Sequence, residues 1–182
     1  MIILLGGFLG SGRGRLARAL SKRHGFHYYD MNQKKPQYGF FDKKGRLKEK
    51  AQRPKSDAAR MRMYKNVTAD FPRLSKMYPD TIIQASFHRK QSREYLLEEA
   101  RRYFDKVIFV WIESDGKHAE KNLLRMEKRA KIRSIEQGKR RMKGMRKAFE
   151  AFQDTPHSFS FVVSGPKSAE HLWDRIRSAS CS

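Results

Sequence analysis

Apolar and polar positions fall into alternating blocks along this chain, and each block suits either a buried strand or a one-sided helix. Residues 2–5 form a continuous apolar run of strand length, and Leu16, Ala17 and Leu20 then set a helical spacing over about 14–23. A second short strand is predicted at 26–29, ending on Asp30. The stretch 31–56 is polar, holds Pro36, Gly39, Gly45 and Pro54, and keeps no period, which predicts a long loop or an inserted flap. Asp57 reads as the N-cap of a helix running to about residue 77, with Pro72 kinking or dividing it. A third strand follows at 81–85, a helix near 89–104, and a β-branched and aromatic fourth strand at 106–112. Helices are predicted at 117–133 and 141–152 with Gly138 between them, then a fifth strand at 159–163 and a closing helix at 168–177. Strands that alternate with helices and are apolar on both faces predict a parallel sheet covered on both sides. Neither an internal repeat nor a linker interrupts the pattern, so residues 1–182 are expected to form one domain.

The junction between the first strand and the first helix carries the most specific chemistry. Gly6-Gly7-Phe8-Leu9-Gly10-Ser11-Gly12-Arg13-Gly14-Arg15 is a glycine-rich turn that opens a helix. Such a turn points backbone N–H groups inward around a phosphate, and the helix N-terminus adds the positive end of its dipole. Gly7, Gly10, Ser11, Gly12, Arg13, Gly14 and Arg15 are therefore the candidate phosphate-binding residues. The pattern G-x-x-x-x-G-K-[ST] would place lysine at 13 and a magnesium-binding hydroxyl at 14, or at 15 in a G-K-G-T variant. Here Arg13, Gly14 and Arg15 occupy those positions. The cradle is kept, and both side chains that serve catalysis are replaced.

Charge changes the picture of partners. Forty-one Lys and Arg against nineteen Asp and Glu give a net charge of +22, a self-repulsion that a polyanion would relieve. Nucleic acid, RNA or DNA, is the partner expected on these grounds. The excess concentrates in a basic insertion over about 34–65 and in 117–147, where thirteen Lys and Arg face three Glu. Arg140, Arg141 and Lys143 are the candidate nucleic-acid contacts there. Aromatic residues near the insertion, Tyr28, Tyr29, Tyr38, Phe40 and Phe41, could stack on bases or pin the flap to the core. A lone Cys181 excludes a disulfide framework and a cysteine metal site, and the histidines show no metal spacing, so no metal site is assigned. No apolar run is long enough to cross a membrane and the opening run is too short for a signal peptide. The expected setting is the cytoplasm or an organelle interior, without secretion and without a membrane partner.

In this order the elements resemble the P-loop kinases, the group that includes nucleoside-monophosphate, gluconate and shikimate kinases and zeta-toxin-like proteins. Gly7-x-x-Gly10-Ser11-Gly12-Arg13-Gly14 resembles their G-x-x-G-S-G-K-G loop. Residues 81–87 with Arg93-Glu94-Tyr95-Leu96 resemble their third strand and next helix, and 107–112 with Asn122 to Arg125 and Arg129 resemble the strand and arginine-bearing helix that lead into their lid. The resemblance implies a three-layer α/β sandwich with a five-stranded, mainly parallel sheet and a helical lid. It also implies ATP or another nucleoside triphosphate as cofactor, Asp30 as general base, and Arg13, Arg125 and Arg129 as charges on the transferring phosphate. Ser86, Phe87, His88 and Arg89 lie at the sheet edge where such folds bind ligands; there Phe87 could stack on a ring or belong to the core, His88 could simply be exposed, and Arg89 could hold a substrate phosphate.

Three positions depart from that family: Arg13 for lysine, Arg15 for the hydroxyl, and Gln84 for the aspartate that often ends the third strand. They leave Mg2+ with the nucleotide, water and Asp30 as ligands. At about 3 kcal/mol per lost electrostatic contact, the barrier to phosphoryl transfer would rise by roughly 3–6 kcal/mol. Two functions are therefore expected. One is an ATP-dependent phosphotransferase acting on a nucleotide or a nucleic-acid hydroxyl. The other is a pseudokinase, impaired in catalysis, that binds RNA or DNA through its basic surface.

Overall fold

The computed structural model describes residues 1–29, 31, 57–129, 131–149, 158–163 and 167–181. Asp30 and the predicted insertion, Met31 apart, lie outside the described residues.

Five strands form one sheet: β1 (Ile2–Gly7), β2 (His27–Tyr29), β3 (Thr81–Gln84), β4 (Val107–Ser114) and β5 (Ser158–Val163). Their order across the sheet is β2-β3-β1-β4-β5, and every neighbouring pair is parallel. Among the described residues the sheet is thus parallel throughout, where a mainly parallel one was predicted. The central strand is buried along its whole length, as a strand covered on both faces must be.

Side-chain alternation divides the core. Ile2 and Leu4 of β1, with Phe109 and Trp111 of β4, face one cluster; Ile3 and Leu5, with Ile108 and Val110, face the other. The first cluster is covered by α2 (Asp57–Thr68), α3 (Phe71–Met77) and α4 (Lys90–Arg101) through Tyr64, Val67, Phe71, Leu74, Leu96 and Leu97. The second is covered by α1 (Arg13–His24) and α7 (Ser168–Cys181) through Leu16, Leu20, Leu172 and Ile176. These are the three layers expected. Two further helices, α5 (Gly116–Lys128) and α6 (Ile135–Lys147), follow β4.

Several boundaries differ from expectation for identifiable reasons. β1 runs on through Gly6 and Gly7 because both still pair with β4, opposite Trp111 and Ile112. Asp57 lies within α2 as its first residue. The long predicted helix does divide near Pro72, which stands in the first turn of α3 where its missing N–H costs nothing. α6 begins six residues before the predicted start, because Ser134 caps it by accepting the Gln137 N–H at 3.1 Å. Gly138, expected to separate two helices, lies inside α6. A Cβ there would stand 2.9 Å from Ile132 Cδ1 and 3.0 Å from Leu123 Cδ2, so this glycine serves close packing of α5 on α6. Among the described residues no helix is long and apolar enough to cross a membrane.

Candidate functional site

The loop between β1 and α1 sits at the C-terminal edge of the central strand, where open α/β sheets bind ligands. Gly12, the N-cap of α1, has φ 86°, a left-handed conformation that side chains with a Cβ resist. Its carbonyl accepts the first helical bonds, from the Arg15 N–H at 2.8 Å and the Leu16 N–H at 3.1 Å. Ser11 N–H closes a turn onto Phe8 O at 3.2 Å. The N–H groups of Gly12, Arg13 and Gly14 have no backbone acceptor among the described residues. Ser11 Oγ is buried there without a partner among those residues. The loop therefore keeps a set of inward donors that an anion would satisfy.

Two other elements hold the loop. Asn122 of α5 donates through Nδ2 to Gly10 O at 2.7 Å, and a Cβ on Gly10 would lie 3.0 Å from Ala119 O. On the other side Phe8 packs edge-on against Trp111, ring centroids 5.0 Å apart, and against Phe149 at 5.4 Å. The Arg146 guanidinium of α6 lies 5.6 Å from the Phe8 ring centroid, in cation–π range.

Arg13 turns back onto the loop. Its Nη1 donates to Gly7 O and to Phe8 O, the second at 2.9 Å, and its Nε donates to Gln84 Oε1 at 2.9 Å. Burial lowers its pKa to about 10, against a smaller opposing influence of the nearby Tyr64 and Tyr28 hydroxyls, so it stays charged at neutral pH. All three acceptors are neutral oxygens, and no acidic side chain among the described residues pairs with it.

The chain has the P-loop kinase fold. No protein-family model matches its sequence, and no curated protein does. Solved structures match over nearly the whole chain at low identity. A sugar kinase from Janibacter sp., in unliganded form, superposes with a TM-score of 0.66 at 14% identity over 99% of this chain and 94% of that one. The Mycobacterium tuberculosis APS kinase in complex with AMPPNP and APS gives 0.65 at 12% identity, over 97% and 96% of the two chains. Shikimate kinase from Aquifex aeolicus gives 0.57 at 12% identity, over 100% and 99%.

On this P-loop kinase frame, Gly7, Gly10, Ser11, Gly12, Arg13, Gly14 and Arg15 come together in one loop. Arg15 is exposed, whereas Arg13 is half-buried. Arg125 and Arg129 are both exposed, and among the described residues neither makes a hydrogen bond or ion pair with the loop. Arg140 and Lys143 are exposed on α6, while Arg141 is half-buried and engaged in other contacts. Of the two readings open for Phe87, the structure selects the core over a stacking role. Phe87 is buried in the core, stacked on Tyr64 at 5.9 Å and edge-on to Phe109 at 6.1 Å. Its φ of 45° is held by the buried Arg93, whose Nη1 donates to Phe87 O at 3.0 Å. Arg89, the N-cap position of α4, is half-buried at the same corner.

The site residues missed in the sequence are Phe8, Asn122 and Arg146. Nothing in their spacing marks them; Phe8 belongs to the loop itself, whereas Asn122 and Arg146 reach it only because α5 and α6 fold over it. The residues present also do not fit a magnesium ion in the manner of this loop type. Gly14 and Arg15 offer no hydroxyl, and the Gln84 side-chain oxygen already accepts from Arg13.

Proposed function

We propose that this protein binds the phosphates of a nucleotide, ATP or another nucleoside triphosphate, in the loop at residues 7–15 and is a pseudokinase with weakened phosphoryl transfer. The observation that carries this reading is the direction of Arg13. Its guanidinium is bonded to the loop's own carbonyls and to Gln84, while the backbone donors around it are left for a ligand. Phosphoryl transfer relies on a metal and on charge that follows the moving phosphate, and an arginine fixed by three bonds supplies only static charge. The test pairs equilibrium binding of a fluorescent ATP analogue with a phosphate-release assay. Saturable binding with release near background supports the reading, and release at ordinary kinase rates refutes the impairment. In that event an ATP-dependent kinase acting on a nucleotide or a nucleic-acid hydroxyl, with Asp30 as base, becomes the reading to pursue.

A second function is favoured by the placement of α6. Arg140 and Lys143 are exposed on it, and Arg146 on the same helix lies against Phe8 of the loop. A basic surface that adjoins a phosphate loop suits RNA or DNA, whose backbone presents phosphates in series. Retention of a labelled oligonucleotide at low salt, lost steeply as salt rises, tests it.

A further inference from the structure

We propose that Arg13 is the fixed cation of a metal-independent anion site, so that the loop takes the phosphate chain of a free nucleotide in preference to its magnesium complex. This rests on the nucleotide reading above and specifies the form of the ligand.

A guanidinium has five N–H donors. In Arg13 three are committed, one from Nε to Gln84 Oε1 and two from Nη1 to Gly7 O and Phe8 O. The two on Nη2 have no acceptor among the described residues. A cation drawn partly out of water, as the half-buried Arg13 is, is ordinarily paired with a carboxylate. Here, among the described residues, the acceptors are two backbone carbonyls and one amide oxygen, so the charge is oriented and no described carboxylate compensates it. Beside it stand the open N–H groups of Gly12, Arg13 and Gly14 and the unpartnered, buried Ser11 Oγ. Desolvated positive charge, a helix N-terminus and unsatisfied donors together form an acceptor for phosphate oxygens.

The same arrangement works against magnesium. The ion asks for oxygen ligands in near-octahedral array, and the two positions at which this loop type supplies its metal-binding hydroxyl carry Gly14 and Arg15. Gln84 stands where a carboxylate would attract the metal, and its oxygen is taken by Arg13. A fixed guanidinium in the cradle repels a divalent cation brought in with the nucleotide. Free ATP also carries more negative charge than its magnesium complex, so the site's attraction for it is greater.

The experiment is calorimetric titration of the full chain with ATP, once in EDTA and once with excess magnesium. Affinity in EDTA should exceed that with magnesium. An affinity that is equal or higher with magnesium, as expected where metal bridges protein and phosphate, overturns the proposal and leaves the nucleotide reading intact. Absence of ATP binding in both conditions overturns the two together. Gln84→Ala, which frees Arg13 from its anchor, should weaken binding in EDTA by about tenfold, with the thermal midpoint of the unliganded variant reporting its fold. Arg13→Lys combined with Gln84→Asp should reverse the preference, and a variant that still prefers free ATP counts against the assigned role of the pair.

Discussion

Arg13 and Gln84, two of the three positions at which the chain departs from the P-loop kinase pattern, are bonded to each other, Nε to Oε1 at 2.9 Å. They lie 71 residues apart, one opening α1 and one ending β3. The substitutions are therefore one structural change. The arginine in the lysine position is held against the loop by an acceptor at the strand end, and glutamine supplies that acceptor while leaving no carboxylate there.

Restoring the family pattern at the loop alone should accordingly be incomplete. Arg13→Lys with Arg15→Thr leaves Gln84 without its donor and without a charge for the metal. Adding Gln84→Asp should raise phosphate release further, by up to ~100-fold over the double variant if the carboxylate recovers about 3 kcal/mol of electrostatic stabilisation. Release at background in the triple variant would place the catalytic defect outside the loop and the β3 terminus.

Gly12→Val tests the cradle directly. The residue sits at φ 86°, and its Cβ would meet Asn122 Nδ2 at 3.4 Å. Strain of about 1–3 kcal/mol for a branched side chain in that region should deform the loop and lower ATP affinity by roughly tenfold or more. Unchanged affinity in a titration would mean that the anion binds elsewhere.

Arg93 makes a stability prediction. It is 1% exposed, donates to Phe87 O at 3.0 Å and lies 5.8 Å from the Phe109 ring centroid. Arg93→Met keeps most of the volume and orphans the carbonyl, for a loss of about 1–3 kcal/mol in urea unfolding. Arg93→Ala should lose more, because a cavity is added. Equal stability of wild type and the methionine variant would show that the strained Phe87 turn is held by other contacts.

For the basic surface the expected signal is a salt slope. Six phosphate contacts give a log–log slope of about −4 to −5. Arg140→Gln with Lys143→Gln should reduce its magnitude by about 1.5–2 if both touch phosphate, without loss of fold, since both are exposed. Arg141 is better left intact, being half-buried and engaged. No oligonucleotide binding by the wild type at low salt would reduce the +22 to a solubility trait.

His27 should make the fold sensitive to mild acid. Its pKa is lowered, first by burial and then by the Arg73 cation, and its ring stacks on Tyr78 at 3.8 Å while its backbone N–H donates to Asp80 O. The folded form thus binds its proton less readily than the unfolded chain, whose pKa is near 6.5. The contribution is intact above that value and is lost as pH falls below it. Melting curves from pH 7.5 to 5 should show a decline that is smaller in His27→Gln. Parallel curves for the two proteins would assign the acid sensitivity to other groups.

The sequence by itself determined the element order and the loop. Apolar runs of strand length alternating with helical patterns point to a parallel sheet covered on both faces, and the glycines at 7, 10 and 12 mark a turn that few other residues could make. It also determined which side chains the loop lacks. Three decisions belonged to the tertiary structure. Asn122 and Arg146 reach the loop because α5 and α6 are brought over it, a placement fixed by the tight seat of Gly138 on Leu123 and Ile132. Phe87 is core because a left-handed turn directs it inward, which no local propensity for phenylalanine favours. And the direction of Arg13 was set by Gln84, an acceptor that is distant in the chain and adjacent only because β3 pairs with β1. Spacing names the residue at a position; the bonds it makes depend on which strand is folded beside it.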